Sequence, residues 1–354
     1  MTAVENPVGT APAHPAAPAV TQRRLYRMMR VYKETALLRA GVRTGVFDAL
    51  ADGPADAATV AGRLGAAERG ARLLLDALAA LELVTTTDDG RYDLDDGARE
   101  LLVRTSPTYY GGMVDVVASS EEWDALRDLD AAVLAGGSVR DVDAETPGYS
   151  YWETFARSVG PVTVPTAHLL GDLLGTWADG RDDLRILDLA CGHGIYGFTL
   201  AGRWAGAHVT GVDWENVCAI TARHAAEQGL ADRFTAVPGD MFTTPVDEPQ
   251  DLVLVTNVLH HFSEERATEL LRRAAADLAP GGRIGVVGFV ASDVPARDPE
   301  PYLFSILMLV WTAAGEVHTE AAHRRMCAAA GLEIEATQQV PGLPFHVLTA
   351  RRAD

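Results

Sequence analysis

The chain has 354 residues, 48% of them apolar and 22% charged, enough for two domains with cores of their own. Its 30 basic against 49 acidic side chains leave a net charge of −19, which disfavours general binding to nucleic acid or anionic membranes. The N-terminus lacks the basic start and apolar block of a secretory signal. The longest apolar stretch, Tyr302 to Ala314, is too short to cross a bilayer. Three cysteines (Cys191, Cys218, Cys327) without CxxC spacing argue against a disulfide framework or a zinc site, so a reduced, cytoplasmic protein is expected.

Residues 1–20 are rich in Pro and Ala and are expected to form a disordered tail. Residues 21–106 read as a compact helical unit. In ETALLRAGVRTGVFDALADG, Leu37, Leu38, Val42, Val46, Phe47 and Leu50 recur at helical spacing until Asp52-Gly53-Pro54. DAATVAGRLG and AERGARLLLDALAALEL give two further helices, and LVTTTDDGRYDLD gives two short strands around Asp89-Gly90. Three helices and a two-stranded wing form a winged-helix unit. Such a unit reads DNA with a basic face, and a metabolite-sensing regulator is the reading this would favour. Between residues 21 and 104, however, 13 basic and 13 acidic side chains cancel. The candidate recognition helix, Ala67 to Leu83, presents Glu68, Arg69, Arg72, Asp76 and Glu82 outward, so dimerisation is the better expectation.

Residues 107–180 read as a helical linker with a loop around Gly136 to Gly148. Its aromatic cluster GYSYWETF (Tyr149, Tyr151, Trp152, Phe155) either packs a core or lines a pocket for a planar, apolar substrate.

From residue 181 to 354 strand and helix alternate. RILDLA, HVTGVD, FTAVPG, DLVLVT and RIGVVGFV are short apolar runs of the kind buried in a parallel sheet. LEIEATQQVPGLPFHVLTARR closes the chain as two strands joined at Pro341-Gly342. The expectation is an α/β, doubly wound, Rossmann-like domain with a seven-stranded sheet ending in an antiparallel hairpin.

The loop after the first of these strands, ACGHGIYG, holds Gly192, Gly194 and Gly197 in a G-x-G-x-x-G pattern, with Cys191 beside them and Asp213 closing the next strand. Taken alone this fits a nicotinamide oxidoreductase, with a pyrophosphate on the glycine amides and a ribose on the acid. Asp188, four residues before Gly192, argues otherwise. A carboxylate facing a pyrophosphate at a few Å costs on the order of kcal/mol, whereas one facing a sulfonium and an ammonium is favourable. S-adenosylmethionine carries both cations. Asp213 would then hold its ribose hydroxyls, with Trp214 beside the adenine. Gly239-Asp240-Met241-Phe242, after the third strand, offers a carboxylate to the adenine amino group and an apolar surface to its ring.

AGVRTGVFDALADG, LLLDALAALELV, YWETFARSVGP, DLACGHG, GVDW, PGDMF and NVLHHFSEE together resemble the small-molecule methyltransferases with a winged-helix dimerisation domain. These include plant caffeate and flavonoid O-methyltransferases and bacterial antibiotic-tailoring enzymes. The resemblance covers nearly the whole chain after the tail. It implies a homodimer joined through the N-terminal domains, S-adenosylmethionine as cofactor with Asn257 at its site, and an acceptor pocket that includes Met113, Tyr151, Trp152, Phe155, Phe304, Met308, Trp311 and His318. No membrane or nucleic-acid partner is implied.

Transfer to a hydroxyl requires the acceptor near 3 Å from the methyl and removal of its proton, a task suited to histidine. By match to the family's His-Asp-Trp triplet, His260 falls on the general base and His261 on the Asp. The family's two flanking carboxylates have no counterpart: Gly288 stands at the first position, and Val317, with Glu316 beside it, at the second. That departure leaves methylation on carbon, or a cofactor-binding relative that does not methylate, as alternatives to O-methylation. Two adjacent histidines and His318, without a matched carboxylate, are too little to expect a metal.

Overall fold

The computed structural model describes residues 21–141, 144–293 and 298–353, so the tail read for residues 1–20 lies outside them. The chain divides between Asp95 and Asp96 into two compact units.

In the first unit the helical run of the sequence is split by Gly45 (φ 80°) into the helices Tyr32–Thr44 and Val46–Ala49. The helix Ala57–Leu64 begins where the Asp56 carboxylate accepts from the Thr59 amide (2.7 Å), and Glu68–Ala80 follows. Strands β1 (Thr85–Thr86) and β2 (Tyr92–Asp93) pair antiparallel around Asp89-Gly90 as the wing. Phe47, Leu50, Val60, Leu75 and Leu78 are sealed inside, and the Tyr92 hydroxyl donates to Asp76 (2.6 Å) to tie wing to helix. The first helix, Gln22–Met28, buries none of its residues. Tyr26, Met28, Met29 and Tyr32 are each about 60% exposed or more.

The second unit holds β3 (Arg185–Leu189), β4 (His208–Asp213), β5 (Phe234–Pro238), β6 (Gln250–Thr256), β7 (Leu278–Phe289), β8 (Leu332–Gln339) and β9 (Phe345–Arg352). Their order across the sheet is β5-β4-β3-β6-β7-β9-β8. The first five are parallel, and β9 runs antiparallel between β7 and the edge strand β8, as the terminal hairpin predicted. Side chains alternate between two covered faces, which explains why the central strands are largely apolar on both sides, whereas the edge strand β8 (LEIEATQQ) is mostly exposed. Leu187, Leu189, Val253 and Val255 face the helices Glu264–Asp277 and Glu320–Ala329. Ile186, Leu252 and Leu254 face Gly160–Ala178 and Ile195–Arg203. A third cluster joins the helices Tyr151–Ser158 and Glu300–Trp311 through Tyr151, Leu307, Met308 and Trp311.

Candidate active site

The reversal of strand order lies at β3, and the loops leaving β3, β4, β5 and β6 converge where open α/β sheets bind ligands. They line one cavity of ≈ 790 Å³.

After β3 the backbone turns through Ala190 (φ 57°), Gly192 (φ 54°) and Gly194 (φ 78°) into the helix Ile195–Arg203. The glycines serve different ends. A Cβ on Gly192 would meet nothing within 4 Å, leaving that face free for a ligand. A Cβ on Gly194 would strike Phe198 (2.4 Å) and Thr221 (2.8 Å) of the chain itself. The Gly192 and Trp214 amides donate to the two oxygens of Asp213 (2.9 and 2.7 Å), which fixes that carboxylate at the end of β4. Burial nevertheless raises its pKa to about 6, partly offset by those two amides. After β5, Asp240 accepts from the Phe242 amide (2.8 Å), and Arg273 holds the loop through the Met241 carbonyl (2.8 Å). The Arg266 guanidinium sits 3.6 Å over the Phe242 ring. After β6, Asn257 (φ 53°) donates to the Tyr196 hydroxyl (3.0 Å), while its own Oδ1 is buried with no partner among the described residues.

These features fit S-adenosylmethionine. A fixed carboxylate at a strand end suits a ribose diol. Trp214, Met241 and Phe242 supply apolar surface for an adenine, and the orphaned Asn257 oxygen can accept from an ammonium.

The cavity also contains His260 and His261, on the short turn Leu259–His261, together with Met113, Tyr151, Trp152, Phe155, Phe304, Met308 and Trp311 from the helical cluster. Phe304 packs edge-on to His260 (4.9 Å between centroids), and Trp152 packs the same way on His261 (5.3 Å). Burial drives the His260 pKa well below the ordinary value, and the neighbouring imidazoles of His261, His318 and His323 push the same way. Burial alone holds His261 at about 4. No side chain among the described residues hydrogen-bonds His260. A Cβ on Gly288 would meet only His260 Nδ1, at 4.0 Å, so the place of the first family carboxylate is empty space beside the ring. At the second place Val317 is buried and Glu316 is exposed.

Two residues read into the pocket lie elsewhere. Asp188 is fully buried beneath the loop and is not part of the lining. Neither of its oxygens has a hydrogen-bond partner of proper geometry, although the Gly197 amide approaches it. Burial raises its pKa well above the carboxylate range, and it has no surface on the cavity from which to meet a ligand. On β3 it points with Ile186 toward the helix rather than out of the strand tip. His318 is buried behind the histidine turn, where its Nε2–H donates to the Leu259 carbonyl (3.2 Å), bracing the turn from outside the cavity. Of the glycines, Gly192 lines the cavity; Gly194 and Gly239 shape their loops from outside it. The lining also includes residues that the motifs do not point to, among them His193, Tyr196, Arg266 and Glu122. His193 was discoverable, since it stands between the two loop glycines. Among the described residues no group of three or more His, Cys, Asp or Glu side chains is placed to hold a metal ion, and no helix is long and apolar enough to cross a membrane.

Comparison with known proteins agrees with this geometry. A family model of the O-methyltransferase domain matches residues 180–333, and one of the O-methyltransferase dimerisation domain matches residues 26–104. The chain is 31% identical to acetylserotonin O-methyltransferase of Mus musculus, over 93% of this chain and 88% of that protein. It is 30% identical to 3-hydroxy-5-methyl-1-naphthoate 3-O-methyltransferase of Streptomyces sahachiroi, over 79% and 80%. A solved chain from Nostoc punctiforme, assigned to the O-methyltransferases, superposes with a TM-score of 0.87 at 28% identity, covering 94% of this chain and 99% of that one. Sheet topology, strand-end loops and both family matches converge: the chain belongs to the S-adenosylmethionine-dependent O-methyltransferases of small molecules that carry an N-terminal dimerisation domain.

Proposed function

We propose that the protein methylates a hydroxyl on a small aromatic acceptor, with His260 as general base, and works as a cytoplasmic homodimer. The observation that carries this reading is the single cavity that unites the strand-end loops with the aromatic cluster and the histidine turn. When bound, S-adenosylmethionine supplies an electrophilic methyl on a sulfonium. Asp213 would hold its ribose, Asp240 and Phe242 its adenine, and Asn257 its amino acid end. Trp152, Phe304 and Trp311 would clamp the acceptor ring and exclude water, so that its oxygen meets the methyl in line. His260, neutral across the physiological range because it is buried, takes the hydroxyl proton as the oxygen attacks. The named acceptors of the two curated relatives, a hydroxynaphthoate and acetylserotonin, are both small aromatics, which supports the same class here.

The dimer reading rests on the dimerisation-domain match and on the apolar side chains of Tyr26, Met28 and Met29, which the first unit leaves uncovered. The catalytic reading is tested with a panel of phenols and labelled methyl donor, read by mass spectrometry. A methyl on oxygen is expected, and His260→Asn should lower kcat by about 10²–10⁴-fold with little change in acceptor affinity. Near-normal turnover in that variant removes His260 as the base.

A further inference from the structure

The acceptor side of the cavity holds an acid that the mechanism above does not use. Glu122 sits on the helix Ser120–Arg127, half-buried, and lines the cavity with Val116, Leu129, Tyr151 and Leu307. Its position suggests a structural task, the N3 glutamate of a Ser-x-x-Glu capping box with Ser119 as the cap, in which the glutamate returns to the amide of the cap. That task is not performed. Ser119 Oγ accepts from the Glu122 amide (3.0 Å), but the Ser119 amide donates to the Val116 carbonyl (3.2 Å) instead of to Glu122. No side chain or amide among the described residues pairs with the carboxyl group. Burial without a compensating charge raises its pKa to about 8.

The surroundings define what could pair with it. Tyr151 lies close enough to feel its charge, and the Tyr151 ring packs at 4.4 Å on Trp311. Aromatic faces attract cations and repel anions. Glu145 and Glu300 also line the cavity. Among the described residues Arg266 is the one Arg or Lys in the lining, and it is engaged with Phe242 and Glu269 on the proposed cofactor side. Among the described residues the acceptor half is thus apolar and acidic, without an arginine or lysine.

We infer that Glu122 is the specificity-determining residue of the acceptor pocket, and that the acceptor class it selects is a phenol bearing a cationic amine. An ammonium placed against Glu122 restores the partner that the fold withholds, while a carboxylate there meets another acid and, among the described residues, no arginine or lysine. This rests on the O-methylation reading only for the identity of the reacting group; the charge preference belongs to the cavity itself.

The test uses three para-substituted phenols whose two-carbon arms end in ammonium, methyl or carboxylate: 2-(4-hydroxyphenyl)ethylamine, 4-propylphenol and 3-(4-hydroxyphenyl)propionate. kcat/KM is measured for each with the full chain, and binding to the protein loaded with S-adenosylhomocysteine is followed by calorimetry. The ammonium arm is expected to exceed the methyl arm by about tenfold or more, with the carboxylate arm last. In Glu122→Gln the ammonium-to-methyl ratio should fall to near one, and Glu122→Ala serves as a second variant. Using the ratio cancels any general loss of activity or fold. A wild-type ratio near one, a preference for the carboxylate, or a preference that survives both substitutions overturns the assignment. Failure of the methylation reading looks different: no label is transferred to any phenol, yet calorimetry still ranks the ammonium first and the variants erase that ranking.

Discussion

Gly288 offers a direct test of whether His260 is the base, because it allows a missing group to be put back. A side chain at this position starts 4.0 Å from His260 Nδ1 and meets nothing else nearby. Gly288 lies in the extended backbone of β7, so Gly288→Asp fits without distortion and brings a carboxylate oxygen within hydrogen-bond reach of the ring. Two unit charges at about 4 Å interact by roughly 4 kcal/mol at an effective dielectric of 20, an upper bound. Paired carboxylates typically shift a neighbour by about 1–3 pKa units. His260 begins well below the ordinary histidine value, so the shift strengthens it as a base while leaving it unprotonated near neutral pH. With a Brønsted slope near one half, a rise of about 2 units gives roughly tenfold in kcat, and the acid limb of the pH–rate profile moves up by the same 2 units. The assay is kcat/KM from pH 4.5 to 8 with a methylated phenol as product. Gly288→Asn adds the same bulk without the charge and should leave the limb in place. If the two variants share one profile, or if Gly288→Asp keeps the wild-type profile while remaining folded, a proton transfer through His260 does not limit the reaction.

Asp213→Asn should weaken binding of S-adenosylhomocysteine by about 10–100-fold in calorimetry, as loss of charged hydrogen bonds to a diol requires; unchanged affinity would place the ribose elsewhere. The loop glycines should separate cleanly. Gly194→Ala combines a left-handed backbone with a clash against Phe198 and should cost roughly 2–4 kcal/mol, seen as a lower Tm, while Gly192→Ala should keep most of the stability and lose cofactor affinity. His323 is buried with its pKa lowered to about 4, so the unfolded chain takes up a proton between pH 6.5 and 4 that the folded chain refuses. Its contribution therefore falls as pH falls through that window, by about 2 kcal/mol between pH 7 and 5. The drop in Tm over that range should be several degrees smaller in His323→Gln than in the wild type, and parallel curves would contradict the burial effect.

Much of the fold was legible because parallel strands buried on both faces must be largely apolar, as the LVLV of QDLVLVT and, apart from Asp188, the ILDL of RILDL are. The cofactor loops were legible for a related reason: Gly192, Asp213, Asp240 and Asn257 follow successive strands, and strand ends in a doubly wound sheet necessarily meet. The aromatic residues around Trp152 and those around Phe304 lie far apart in sequence, and only the family resemblance joined them. What escaped depends on side-chain direction. Asp188 shares the parity of Ile186, which turns it under the loop, and that parity was available but outweighed by proximity to the glycines. His318 faces the outside of a turn whose inner side carries His260, a distinction no spacing encodes. Glu122 sits in SSEEWDALRD, where four acids among ten residues look like an ordinary solvated helix.

Cys191 places a thiol in the wall of a pocket built to present a reactive methyl group. A thiolate there would compete with the acceptor and alkylate the protein. Instead the neighbouring Cys218 thiol, then burial and the Asp213 charge, push the Cys191 pKa well above the usual thiol range, and its Sγ–H leans toward Thr221 (3.8 Å). Because sulfur attacks as the anion, the loop can stand beside an electrophile for many turnovers without consuming itself.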